Sequence, residues 1–121
     1  MSKIINFTDL IAWQEAHKVV LSLYKATEQF PNKEIYGLTS QMRRAAISLT
    51  SNIAEGFSRK SSKEKIQFYA ITLGSNTELQ NQLMLARDLG YIPPEQFHSI
   101  FQDIIRVHKL TNGLIRGLRE A

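Results

Sequence analysis

The chain has 121 residues, of which 43% are hydrophobic and 21% charged; this balance is typical of one globular domain and excludes a disordered segment. It contains no cysteine, which excludes disulfide bonds and thiolate metal sites, and no apolar run approaches the roughly 18 residues of a membrane span. The formal net charge of +4 favours anionic partners, and the expected location is the cytoplasm.

Turn and cap residues divide the chain into four predicted helices, at about 9–29, 39–57, 62–89 and 94–119, in a single domain spanning 1–121. Helix 1 is predicted to begin at Thr8 or Asp9, whose side chains can accept the free N–H groups of a first turn, and helix 2 at Thr39 or Ser40. Apolar residues recurring at helical spacing predict the buried faces. These residues are Trp13, Ala16, Val20, Leu23, Tyr24 and Thr27 on helix 1, and Met42, Ala45, Ala46, Leu49, Ile53 and Phe57 on helix 2.

The boundaries of helices 3 and 4 carry stronger signals. Ser61, with Glu64 three residues later, forms a capping box, and Gly90 is the predicted left-handed terminator of helix 3. Pro93 and Pro94 open helix 4, since proline suits a first helical turn. Four long helices with short connections predict an all-α, antiparallel up-down-up-down bundle. The predicted buried row of helix 4 is Phe97, Ile100, Phe101, Ile104, Val107, Thr111, Leu114, Ile115 and Leu118.

Helix 3 has apolar residues on two sides. One predicted stripe contains Ile66, Tyr69, Ala70, Leu73, Thr77 and Met84, and the other contains Phe68, Ile71, Leu79, Ala86 and Leu89. A helix that is apolar on two sides needs cover on both, so we expect one stripe to face the core and the other a second copy of the chain. Two alternatives remain: the second stripe is scattered surface residues, or the N-terminal arm of Ile4, Ile5 and Phe7 covers it.

The sequence contains no recognisable catalytic, cofactor or metal constellation. Of the three histidines, only His98 has a carboxylate at bundle-metal spacing, in Glu95, and this pair occurs once and in a first turn. His17 and His108 have no such partner, and no serine has a nucleophile setting. We therefore expect a protein that is not an enzyme and that holds no metal and no cofactor.

A polar flank on helix 2 continues onto helix 3. Such groups at the margin of a buried face are expected to pair with one another, because unpaired burial is costly. The flank is interpreted either as a hydrogen-bonded network that sets helix register or a subunit contact, or as a pocket for a ligand or partner. Its residues are Arg44, Ser48, Asn52, Glu55, Ser75 and Glu78.

Cations collect around the turn after helix 2 and along helix 4. At 100° per residue, those on helix 4 fall on the face opposite the core. They could neutralise phosphates, although a solvated basic face is also common and no aromatic residues are interleaved to stack bases. The candidate nucleic-acid-binding residues are Arg43, Arg59, Lys60, Lys63, Lys65, Arg106, Lys109 and Arg116.

Several segments resemble the bacterial four-helix-bundle proteins encoded within intervening sequences of large-subunit ribosomal RNA genes. They are FTDLIAWQEA at 7–16, FPNKEIYGLTSQMRRAA at 30–46, SNIAEG at 51–56, GSNTEL at 74–79 and LGYI at 89–92. The resemblance implies a left-handed up-and-down bundle in a homo-oligomeric ring, typically a pentamer. It also implies remote kinship with basic accessory proteins of diversity-generating retroelements, which bind nucleic acid and a reverse transcriptase. The family has no established enzymatic activity and no agreed functional residues.

These features predict a homo-oligomeric, pentameric basic scaffold that binds RNA or another nucleic acid through backbone phosphates. The alternative prediction is an adaptor that holds an unidentified protein partner on the polar flank of helix 2 or at a bundle end. Neither prediction involves a membrane.

Overall fold

Four long helices and two short 3-10 turns make up the computed structural model, which describes residues 3–121. The helices are α1 (Ile11–Thr27), α2 (Leu38–Ser58), α3 (Ser62–Asp88) and α4 (Pro94–Glu120), and the 3-10 turns are Phe7–Asp9 and Asn32–Glu34. The described residues contain no strand, so the predicted all-α class with four helices is confirmed. None of these helices is long and apolar enough to cross a membrane.

The start of α1 differs from its prediction. Asn6, and not Thr8 or Asp9, accepts the first free N–H group, and Asp9 reaches back to the Asn6 backbone N–H at 3.1 Å. This reciprocal cap closes the 3-10 turn, so α1 begins only at Ile11. Asp9 also accepts the backbone N–H of Ile5; these two hydrogen bonds, with that from Asn6 first, lower the pKa of its carboxyl.

Two other helix ends follow the chemistry of their cap residues. The Ser61 hydroxyl accepts the Glu64 backbone N–H at 3.1 Å at the start of α3, and Gly90 has the left-handed φ of +78° that ends it. The start of α2 is different, because Gly37 precedes it and offers no side chain. Glu34 replaces that cap, since its carboxylate accepts the Leu38 backbone N–H at 3.2 Å.

The core lies between all four helices. α1 contacts α2, α2 contacts α3, α3 contacts α4, and α4 contacts α1, which closes the cycle. The predicted rows of α2 and α4 are largely buried. On α1, Val19 is buried in place of the predicted Val20, and the predicted Tyr24 is 36% exposed. The largest fully buried apolar side chains are Leu23, Met42, Leu49, Ile53, Leu79, Leu83 and Ile104.

The predicted division of α3 into two apolar stripes is wrong. Its buried face runs between the stripes and is half polar, consisting of Tyr69, Thr72, Asn76, Leu79, Gln82, Leu83 and Ala86. Ile71, Met84 and Leu89 are 39–50% exposed. Polar residues such as Thr72, Asn76 and Gln82 occupy buried positions of α3 and interrupt its hydrophobic periodicity. For that reason the spacing of apolar residues alone predicts the wrong buried faces for this helix.

The N-terminal arm does not cover the exposed side of α3. Ile4 lies beside α1 and α4, in a surface cleft that also contains Ile11 and Leu110. Ile4 is 49% exposed and Ile5 74% exposed. The arm is therefore wrong as an explanation for the apolar residues of α3.

Candidate nucleic-acid interface

The turn between α2 and α3 carries the densest group of predicted cations. Arg59 forms an ion pair with Glu55 at 3.0 Å and lies over the Phe68 ring, 4.7 Å from its centroid. Lys60 and Lys63 are exposed and form no ion pair with any of the residues described. The Arg59 pair is largely solvated, so it contributes little to stability and can exchange its partner for a phosphate.

Lys65 and Arg43 are held by neutral groups. The Lys65 ammonium donates to the backbone oxygen of Phe57 at 2.7 Å, where it covers the free carbonyl groups at the end of α2. Arg43 donates from Nε to the Thr27 hydroxyl at 2.8 Å and lies over the Tyr24 ring at 4.5 Å. Neither cation is neutralised by a carboxylate in residues 3–121, but both are committed to positioning helix ends.

The cations of α4 are divided between a structural contact and open surface. Arg106 donates to Glu15 of α1 at 2.9 Å, and Glu15 is largely buried, with 17% of its side chain exposed. Lys109 and Arg116 are exposed and form no ion pair within the described part of the chain. The eight predicted cations thus fall on three areas of the surface and do not form one patch.

Three residues of the predicted polar flank meet between α2 and α3. The Ser48 and Ser75 hydroxyls are 2.7 Å apart, and the Asn52 amide donates to the Ser48 hydroxyl and carbonyl oxygens, each at 2.9 Å. The two acidic residues of the flank are not part of this network. Glu55 pairs with Arg59, and Glu78 accepts a hydrogen bond from Gln82 at 3.2 Å. The hydrogen bonds of this network hold α2 and α3 in register. They agree with the interpretation of the flank as a hydrogen-bonded network and not as a pocket.

Arg44 lies one turn before Ser48 on α2 but makes no hydrogen bond to this network. It lines a cavity of about 410 Å³ with Arg43, Thr39, Ile35 and Ile47. Ile35 is 52% exposed and Ile47 42% exposed, so the cavity combines apolar walls with two guanidinium groups.

Asn76 was missed by the sequence reasoning, although it lies in the GSNTEL segment. It is fully buried, donates to the Ile104 backbone oxygen of α4 at 2.9 Å, and accepts from Gln80 at 2.7 Å. Its neighbour Ser75 bonds to α2, so consecutive residues connect α3 to both adjacent helices. Ser75 and Asn76 are adjacent small polar residues in the middle of a long helix. That pairing is the signal that could have identified their contacts to both neighbouring helices.

The histidines do not converge. His17 is exposed and stacks on Trp13 with ring centroids 4.7 Å apart, and His108 has a buried Nδ1 that finds no hydrogen-bond partner among the described residues. Within residues 3–121 no three residues of the His, Asp and Glu types lie close enough to hold a metal ion.

Together the four-helix core, the polar contacts of α3 and the dispersed surface cations define a small, basic all-α protein. The chain belongs to the 23S rRNA-intervening sequence protein family, whose model matches residues 8–113. The resemblance seen in the sequence is thereby confirmed.

One solved structure of the same fold comes from Bacteroides thetaiotaomicron VPI-5482. It is a protein of unknown function from the S23 ribosomal protein family, with a TM-score of 0.80 and 21% sequence identity, and the match covers 88% of this chain and 96% of that one. At this identity the likeness shows the fold alone. A comparison with curated proteins gave no match.

Proposed function

We propose that this protein is a non-enzymatic, homo-oligomeric basic scaffold in the cytoplasm that binds nucleic acid through phosphate contacts. The observation that supports it is that four of the eight candidate cations are exposed and form no ion pair among residues 3–121, namely Lys60, Lys63, Lys109 and Arg116. Exposed ammonium and guanidinium groups release counterions from phosphates and give affinity without sequence preference. The proposal assigns no catalytic or cofactor role to any residue.

RNA is the first ligand to test. No base-stacking surface adjoins the four exposed cations in the sequence, so we expect contacts to the backbone and weak discrimination between sequences.

A salt series on labelled single-stranded RNA tests phosphate binding. We expect dissociation constants in the roughly micromolar range at low salt, with affinity falling linearly in a log–log plot against salt concentration. Replacing Lys60 and Lys63 together by glutamine should reduce that slope by about 1.4, at about 0.7 per lost contact to a single strand. The matched control replaces Lys25 and Lys33, which are also exposed and change the net charge equally.

Two outcomes would contradict this assignment. Flat binding curves at low salt with assembled protein would exclude polyanion binding altogether. An equal loss of slope in the control variant would show that overall charge, and not the turn after α2, attracts RNA.

The assembly part of the proposal is an antiparallel up-down-up-down bundle that forms a ring of five copies. Ile71, Leu85 and Leu89 of α3 are 48–50% exposed and fall within about 40° of one another at 100° per residue. They share one face of α3, on which the exposed Glu78 separates Ile71 from Leu85 and Leu89. Burying their apolar area between copies is favourable at about 25 cal/mol per Å². A ring would repeat the cations and add avidity to weak individual contacts.

Sedimentation tests the assembly. Leu85→Arg should shift the protein towards its 13.8 kDa monomer, because a cation would then have to enter the contact. Leu21→Arg is the matched control, because Leu21 is a similarly exposed leucine on α1. A wild-type protein that stays monomeric at high concentration would refute the ring.

A second candidate function is that of a protein-interaction adaptor, favoured by the cavity that Arg43 and Arg44 line with Ile35 and Ile47. Apolar walls beside two guanidinium groups fit a partner with acidic and apolar side chains. Purification from the native host under nuclease-free conditions distinguishes the two functions. Recovery of a stoichiometric protein partner without nucleic acid would favour the adaptor.

A further inference from the structure

A cavity of about 330 Å³, open to solvent, lies where Leu10, the residue before α1, meets the end of α2, the start of α3 and the end of α4. Its walls are apolar, formed by Leu10, Phe57, Leu114 and Leu118. This volume is at the lower end of the range for small-molecule sites, roughly 300–1,000 Å³. The cavity is separate from the cations Lys60, Lys63 and Lys109, and its role does not depend on nucleic-acid binding.

Two glycines of α4, Gly113 and Gly117, border this cavity one helical turn apart. Glycine inside a helix is unfavourable relative to alanine, so its presence needs a reason. Close packing is not the reason here. A Cβ atom at Gly117 would meet nothing within 4 Å, and one at Gly113 would meet only the Arg116 guanidinium at 4.0 Å.

The polar groups of the cavity come from α3. Tyr69 is only 3% exposed, yet its hydroxyl makes no hydrogen bond to any residue that the structure describes. Burial raises the pKa of Tyr69, so the hydroxyl remains protonated and able to donate. The hydroxyl oxygen itself is not among the buried atoms without a partner, so it keeps contact with solvent and is open to a molecule in the cavity.

Lys65 lies one turn before Tyr69 on the same helix face. Its ammonium donates to the Phe57 oxygen at 2.7 Å and to the Gly56 oxygen at 3.4 Å. An ammonium has three protons, so one remains for a ligand. The Tyr69 hydroxyl and this proton form a donor pair beside an apolar space.

We propose that the cavity binds a small amphiphilic anion, with its apolar body against Gly113 and Gly117 and its carboxylate or sulfonate on Tyr69 and Lys65. The glycines leave the space that the apolar body fills. The donors receive the anionic group, which is the acceptor that the Tyr69 hydroxyl lacks.

The probe for this site is 8-anilinonaphthalene-1-sulfonate, which joins an aromatic body to one anionic group and fluoresces when it leaves water. We expect saturable binding at one site per chain, and binding at least tenfold weaker for the neutral analogue N-phenyl-1-naphthylamine, because charge-assisted hydrogen bonds are the stronger kind. Tyr69→Phe should weaken binding of the sulfonate about tenfold, through the lost hydrogen bond to a charged group.

Gly117→Leu fills the cavity and should abolish the saturable signal. It should leave the melting temperature unchanged or raised, because the new side chain enters open space and helix propensity improves. Gly74→Leu is the matched control: Gly74 is also a helical glycine whose Cβ would meet nothing within 4 Å, but it lies on α3 away from the cavity. This control should bind as the wild type does. If Gly117→Leu fails to fold, Gly117→Ala provides the same comparison with Gly74→Ala.

Three results would overturn the proposal. The first is equal affinity for wild type and Gly117→Leu, and the second is an equal loss in Gly74→Leu. The third is a change in sedimentation caused by Gly117→Leu with probe binding intact, which would show that the cavity receives another copy of the chain.

Discussion

Replacing Gly56 by alanine tests how closely α2 and α3 pack. A Cβ atom there would lie 2.6 Å from Cε1 and 2.9 Å from Cδ1 of Tyr69, and 3.1 Å from the Phe68 Cβ. Carbon atoms prefer about 3.5–4.0 Å, so the buried Tyr69 ring would have to move by about 1 Å. Overpacking of this kind costs about 1–3 kcal/mol, against a gain of about 1 kcal/mol in helix propensity. We therefore expect Gly56→Ala to lower the free energy of unfolding by up to about 2 kcal/mol.

Gly74→Ala isolates the packing term, because it makes the same change in an open part of α3. It should raise the free energy of unfolding by about 0.5–1 kcal/mol, and because this gain is common to both variants, the difference between them is the packing cost of about 1–3 kcal/mol. Urea unfolding followed by far-UV circular dichroism, at one protein concentration, measures both. Equal stability of the two variants would refute the inference that Tyr69 occupies the space beside Gly56.

Three further perturbations test other contacts. Asn76→Ala should cost about 2–4 kcal/mol in urea unfolding, because it leaves a cavity and removes the buried hydrogen bond to α4; a loss below about 1 kcal/mol would contradict that role. Glu34 accepts the Leu38 backbone N–H, which lowers its pKa below the ordinary 4.5, so its stabilisation is complete above that pH and is lost as pH falls through the folded pKa. The stability difference from Glu34→Gln should accordingly shrink as the pH is lowered below about 4.5, and a constant difference would argue against this cap. A double-mutant cycle on Ser48→Ala and Ser75→Ala should give a coupling of about 1 kcal/mol, whereas additive effects would mean that the hydroxyls do not bond in solution.

Local signals predicted the helix ends that depend on neighbouring residues. Ser61 and Gly90 act through contacts within a few positions of the chain, which a sequence displays directly. The start of α1 was misplaced because Asn6, Thr8 and Asp9 are all competent caps, and only the reciprocal bond between Asn6 and Asp9 selects one. A single sequence ranks such competitors poorly when each is chemically suitable.

The candidate site was less predictable, since its contacts join distant parts of the chain. Nothing near Arg106 in sequence indicates that Glu15 pairs with it, and nothing near Arg43 indicates the Thr27 hydroxyl. Sequence reasoning can find an excess of cations, but the partners that neutralise or position them are set by tertiary packing. The cavity beside Gly117 was hidden for the same reason, because its walls come from three helices and from Leu10, the residue before α1.

The orientation of α3 shows how polar contacts can decide which apolar residues remain outside. Hydrophobic burial alone would favour turning Ile71 and Leu89 inward, since each leaves about half of its area in water. Ser75 bonds to α2 and Asn76 to α4, and both contacts would break if the helix rotated by the roughly 100° that separates neighbouring residues. Breaking them would leave buried polar groups unpaired, and this cost opposes the gain from burying the apolar area. The same residues that hold α3 against α2 and α4 therefore help to keep Ile71 and Leu89 on the surface.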